Sequence, residues 1–292
     1  MSPLLLLIFA GLPPIADPEI SSAVTEVVRS HGVVLDEQTV PALRRLGEAG
    51  DRSAFALLGE LYMMSAGRDP DWSQSCDYSE RAGDHSSALH NLATCYFLGR
   101  GRSRDLVRAF ELYERASAMG FAKSHCALGN MLVSGMAGRR DASLGLELCR
   151  HAADAGVSDA ATDYGGYLLT GEHIERNPVE ARRYLASAAA ARQPNAAFLL
   201  GQIYWNGDGV ERDREEAVRW WTVAHEAGRP DAAFAIGRYL AARALEQRGS
   251  GVTDQSLAER AAHWLRLAVA HDPDPAHREL AAHGLELLTQ TR

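Results

Sequence analysis

Lysine is almost absent from this chain. Of its 30 basic residues one, Lys123, is lysine and the rest are arginine. That excludes a Gly-Lys-Ser/Thr phosphate loop, because Ala122 precedes the single lysine. It also excludes a Ser-x-x-Lys nucleophile motif, because Gly120 stands three residues before it. No apolar run approaches the roughly 20 residues that cross a bilayer. The four cysteines, Cys76, Cys95, Cys126 and Cys149, form no Cys-x-x-Cys, so neither a zinc ribbon nor a thioredoxin-type centre is indicated. There is no His-Glu-x-x-His and no Gly-x-Ser-x-Gly elbow. With 30 basic against 38 acidic residues and a net charge of −8, the chain lacks the basic surplus of a nucleic-acid binder.

What the chain has is ample apolar content, 46 % of 292 residues, enough for a large core and incompatible with general disorder. Its longest apolar run, Leu4 to Leu12, is followed by Pro13, Pro14, Ile15 and Ala16. Length and position suit a secretory signal over residues 1–16, cleaved after Ala16, which favours a secreted or periplasmic protein over a cytoplasmic one. The alternative is a short apolar helix capping the fold.

Beyond this segment the sequence repeats. Ala93, Gly129, Gly165, Gly201 and Gly237 lie 36 apart, as do Gly99, Gly135, Gly171 and Gly207. Asp105, Asp141, Asn177 and Asp213 keep the same spacing, as do Ala116, Ala152, Ala188 and Ala224. Each column has a physical role. Ala197, Leu200, Gly201 and Tyr204 sit three and four apart, one stripe of a helix. A glycine inside that stripe costs about 1 kcal/mol against alanine, so a neighbouring helix must come close there. The later glycines end the helix, and the Asp/Asn column caps a second one. Asn177-Pro178-Val179-Glu180 is such a start, and Ser256 with Glu259 predicts another. The unit is a helical hairpin, and stacked hairpins bury what one alone cannot. We read residues 17–53 as an N-terminal helical cap and 54–292 as one array of about six hairpins. The fold class is all-α, a right-handed α/α solenoid.

The pattern Ala-x-x-x-Leu-Gly-x-x-Tyr-x-x-Gly-x-Gly-Val-x-x-Asp-x-x-x-Ala-x-x-Trp/Tyr resembles the Sel-one-like repeat, a relative of the tetratricopeptide repeat. The best copy runs from Ala196 to Gly228, and the resemblance extends strongly over residues 88–240. Leu132 and Leu168 replace the first-helix Tyr, Arg192 replaces a terminal Gly, and Met136 and Ala137 interrupt the Gly-x-Gly turn. Family members with helix-stapling cysteines place them at fixed hairpin positions. Here Cys76 and Cys149 are assigned to the Tyr/Trp column of the second helix, while Cys95 and Cys126 fall at two different first-helix positions. That placement favours buried or groove-facing free thiols over disulfides.

The resemblance implies a non-enzymatic scaffold or adaptor that presents a groove to a protein or peptide partner, with no cofactor and no metal. Two other functions stay open: a cell-wall or β-lactam hydrolase, and a regulatory partner of an envelope or signalling protein. By analogy with the tetratricopeptide hairpin, the inner groove includes Glu60, Met63, His90, Phe97, Asn130, Gln202, Trp205 and Arg238. Phe97 and Trp205 either contact a partner or cover the hairpin tip. The eleven histidines lack metal-ligand spacing; His85 and His90 are five apart, and His271, His277 and His283 six apart. The arginine-rich stretch 100–108 is read as an exposed turn before it is read as an anion site.

Overall fold

The structure of the protein is a computed structural model that describes residues 21–31, 35–64, 69–251 and 254–289. The apolar segment Leu4–Leu12 and the cleavage point after Ala16 lie outside these residues. Among the described residues there are 15 α-helices, one 3-10 turn and no strand. They form two compact units that divide after Ala160.

The first unit opens with α1 (Ser22–His31) and α2 (Thr39–Glu48), which pack on each other. Three hairpins follow: α3 (Arg52–Met63) with α4 (Trp72–Ala82), α5 (Ser86–Leu98) with α6 (Leu106–Ala118), and α7 (Ala122–Ser134) with α8 (Ala142–Asp154). The second unit holds α9 (Ser158–Thr170), whose first turn lies at the boundary, and α10 (Pro178–Ala190). It continues with α11 (Pro194–Asn206), α12 (Arg214–Glu226), α13 (Ala232–Gly249), α14 (Gln255–His271) and α15 (Pro275–Thr289). Each unit is a stack of helical hairpins, the building block of an α/α solenoid, with a period of about 36 residues.

The caps follow from the sequence columns. Asp105, Asp141, Asn177 and Asp213 accept hydrogen bonds from the backbone N–H of Arg108, Leu144, Glu180 and Glu216. The column extends to Asp71, which accepts from Gln74 N. Asp71 lies 34 residues before Asp105, as Gly59 lies 34 before Ala93. The missing pair belongs to α4, which has 11 residues where α6 and α8 have 13. One start differs from expectation. Helix α14 begins at Gln255, capped by Asp254 accepting from Leu257 N, and Ser256 is inside it.

The small-residue column marks close helix approach. A Cβ on Gly129 would overlap the carbonyl of Gly145 and touch Cys149 Sγ, and one on Gly59 would overlap Ser79 Oγ. The two hairpins therefore share a register in which Ser79, not Cys76, matches Cys149. Cys76 turns instead toward the following hairpin.

That geometry corrects the expectation of free thiols. Cys76 and Cys95 form a disulfide joining α4 to α5, and Cys126 and Cys149 form one joining α7 to α8. No free cysteine remains. The sulfurs meet because the column three before the small residue faces its own second helix. Cys126 and Cys149 occupy the positions that Phe198 and Trp221 hold 72 residues later, where the rings lie 6.1 Å apart. The column two after the small residue faces the preceding second helix. Cys95 is in that column, as is Tyr239, whose hydroxyl donates to Glu215 of α12 at 3.2 Å.

Candidate binding faces

Five of the eight candidate groove residues belong to the first unit and three to the second. In the first unit, Glu60 on α3 forms an ion pair with Lys123 on α7 at 3.6 Å. His90 on α5 hydrogen-bonds through Nδ1 to Ser124 Oγ on α7 at 2.9 Å. Adjacent residues of α7 thus tie Glu60 and His90 into one surface. His90 packs between Tyr113 and Phe121, each ring centroid 5.3 Å away. Burial, with Lys123 adding to it, pushes its pKa down to about 3, so the ring is neutral at pH 7. Phe97 meets the edge of Tyr113 at 6.5 Å, and its carbonyl accepts from Arg104 Nε at 3.2 Å. It is a half-buried cover of the hairpin. Met63 is half-buried at the end of α3. Asn130 lies against the α7–α8 disulfide, with Oδ1 3.5 Å from Cys149 Sγ. A cystine sulfur carries no proton to donate, so this is a packing contact.

In the second unit the candidates separate. Trp205 is half-buried, with its ring 5.4 Å from Trp221 and 5.3 Å from Tyr239, and the Arg214 guanidinium lies 5.0 Å from its centroid. Its surroundings make it a bridge between successive hairpins. Gln202 is half-buried. Arg238 is exposed, 5.6 Å from the Phe234 ring, which stacks on His277. Gly166, in the same column as Gln202 and Arg238, opens onto empty space.

Several residues that shape these faces were not singled out by sequence. Thr94 donates to the His90 carbonyl at 3.0 Å and shares a hydrogen bond with the Tyr113 hydroxyl. Ser117 Oγ pairs with Nδ1 of the fully buried His125 at 2.8 Å. The arginine stretch 100–108 is spent internally. Arg102 binds Asp77 and Glu80, Arg100 lies 5.3 Å from the Trp72 ring, and Arg108 lies 5.2 Å from that of Tyr96. Among the described residues no group of three or more His, Cys, Asp or Glu is placed to hold a metal, and no helix is long and apolar enough to cross a membrane.

Stacked hairpins with small residues at their crossings define the class of α-helical repeat proteins. A family model of the Sel1 repeat matches residues 86–121, 122–157, 158–192, 194–228 and 230–272, so the chain belongs to the Sel1 repeat family. Repeats of this family generally serve as protein-interaction scaffolds. Among solved structures, a Sel1 repeat protein from Oxalobacter formigenes is 23 % identical, with a TM-score of 0.66. The match covers 86 % of this chain and 97 % of that one. The protective antigen c5321 of uropathogenic Escherichia coli strains, which has an SLR fold, is 21 % identical with a TM-score of 0.64. That match covers 90 % of this chain and 55 % of the antigen. These likenesses establish the fold. No curated protein matches the chain.

Proposed function

We propose that the protein is a non-enzymatic scaffold that binds a protein or peptide partner along the inner faces of its first helices. The supporting observation is the column one residue after the small residue. It reads Glu60, Thr94 and Asn130 in the first unit, then Gly166, Gln202 and Arg238 in the second. The column keeps the repeat spacing, yet its chemistry changes in every copy, while the packed residue beside it stays Gly or Ala. Packing fixes one column and leaves the other to vary. Within each unit, a repeated frame that carries a different group in each copy suits partner discrimination. Site-specific photo-crosslinking in the native cell tests this. A crosslinker at 202 or 238 is expected to trap a discrete partner, and one at Arg219, exposed on α12, is expected to trap none. Crosslinks from 219 alone would place the working surface on the second helices. Turnover of a fluorogenic β-lactam by the purified protein would overturn the non-enzymatic reading.

A further inference from the structure

Two disulfide-stapled blocks meet inside the first unit. Cys76–Cys95 holds α4 to α5, and Cys126–Cys149 holds α7 to α8. No disulfide crosses the seam where α5 and α6 face α7. Two serine–histidine hydrogen bonds do cross it, His90 to Ser124 at 2.9 Å and Ser117 to His125 at 2.8 Å. Each pairs one hairpin with the next, and both end on the first turn of α7.

A second proton on His125 has no acceptor, whereas His90 is half-buried. His125 has no exposed surface, and its Nε2 has no hydrogen-bond partner. Across from it, 5.3 Å between ring centroids, lies His151 of α8, whose Nδ1 is likewise buried and unpartnered. Around His151, on its own helix, are Arg150, Asp154 and Glu147. His90 is enclosed by Tyr113 of α6 and by Phe121, and the charge acting on it is Lys123 of α7, paired with Glu60 of α3. One further ion pair spans the seam: Arg139, just after α7, reaches Glu114 of α6 at 3.6 Å. The charges that act on the two seam histidines are thus Lys123 and, once protonated, His151.

We propose that this seam is an acid-opened joint: protonating His90 and His125 parts the α7–α8 block from α5 and α6 while both disulfides keep each block whole. The direction follows from linkage. Burial holds His125 at about 4 and His90 at about 3 in the closed state, whereas an opened histidine titrates at its ordinary 6.5. The open state therefore binds more protons, and closure weakens as pH falls below 6.5. For His125 alone, moving from pH 7 to pH 5 favours opening about twentyfold.

Hydrogen exchange by mass spectrometry on the full-length oxidised chain reads this opening. After correction for intrinsic rates, amides of residues 86–98 and 122–134 are expected to open at least tenfold more often at pH 5 than at pH 7. Amides of residues 178–226 in the second unit are expected to change little. In His90→Gln/His125→Gln the amide keeps a partner for each serine but cannot take up the proton, so the acid response should vanish. A response that is flat, equal in both units, or retained in the glutamine variant overturns the proposal. If the variant does not fold, histidine resonances of the wild-type chain decide: midpoints for His90 and His125 below 5 support the joint, and midpoints near 6.5 refute it.

Discussion

The indole of Trp221 fills the space that a side chain at Gly201 would need. A Cβ there would overlap indole Cδ1 and Nε1, and the indole N–H donates to the carbonyl of Phe198 at 3.2 Å. At this crossing α11 and α12 approach through the notch that Gly201 leaves. Gly201→Leu should destabilise the second unit by about 1–3 kcal/mol through overpacking. Gly166 is the control: it is helical and open, so Gly166→Ala should stabilise by about 0.5–1 kcal/mol. Urea midpoints of the two variants should move in opposite directions.

Turn geometry persists where its glycine does not. Gly101, Ala137, His173 and Gly209 occupy one column, and all four have positive φ, between 55° and 71°. A side chain in that left-handed region costs about 1–2 kcal/mol. Ala137→Gly should therefore raise stability by about 0.5–1 kcal/mol, once the added freedom of the unfolded chain is subtracted. Gly209→Ala should lower it. Thermal melts of the pair check the sign.

Each second helix depends on one cap. Asp213→Ala removes the acceptor for Glu216 N and should cost about 1 kcal/mol. Asp213→Asn should be nearly neutral, since Asn177 caps α10 in the same manner. Denaturant unfolding of the two variants separates the carboxylate charge from the hydrogen bond.

Both disulfides lie in the first unit, closing loops of 19 and 23 residues. Loops of that size constrain the unfolded chain by about 3 kcal/mol each. Reduction should lower the melting temperature of the first unit and leave the second, which has no cysteine, nearly unchanged. Limited proteolysis with and without reductant shows which unit is cut first.

The hairpins and their caps were legible in sequence because each signal is local: Asp213 and its target Glu216 are three residues apart. The cysteine pairs were not. Their columns were identified one helix at a time, and pairing depends on which columns face each other across a hairpin. The Phe198–Trp221 contact 72 residues on holds the key, but it emerges only once helices are laid side by side. The register of α4 is hidden for a related reason: with two residues missing, a 36-residue spacing points to Asp77, beside Cys76, whereas the column is filled by Ser79. The binding face was partly legible. The spacing of Gln202 and Arg238 marks a free column, but aromatic periodicity alone could not reveal that Trp205 is enclosed by Trp221, Tyr239 and Arg214. Nor could it anticipate that Lys123 reaches Glu60 across an intervening helix.

The disulfides join cysteines that are neighbours in chain order, first with second and third with fourth. Four cysteines allow three pairings, and this is the one that a growing chain meets first. Cys95 emerges 31 residues before Cys126, so the first partner offered to Cys76 is its native one. By the time Cys126 appears, the earlier pair can already be closed, and its remaining partner is Cys149. Closed in the order of synthesis, the cysteines reach these linkages with no wrong pair to reshuffle.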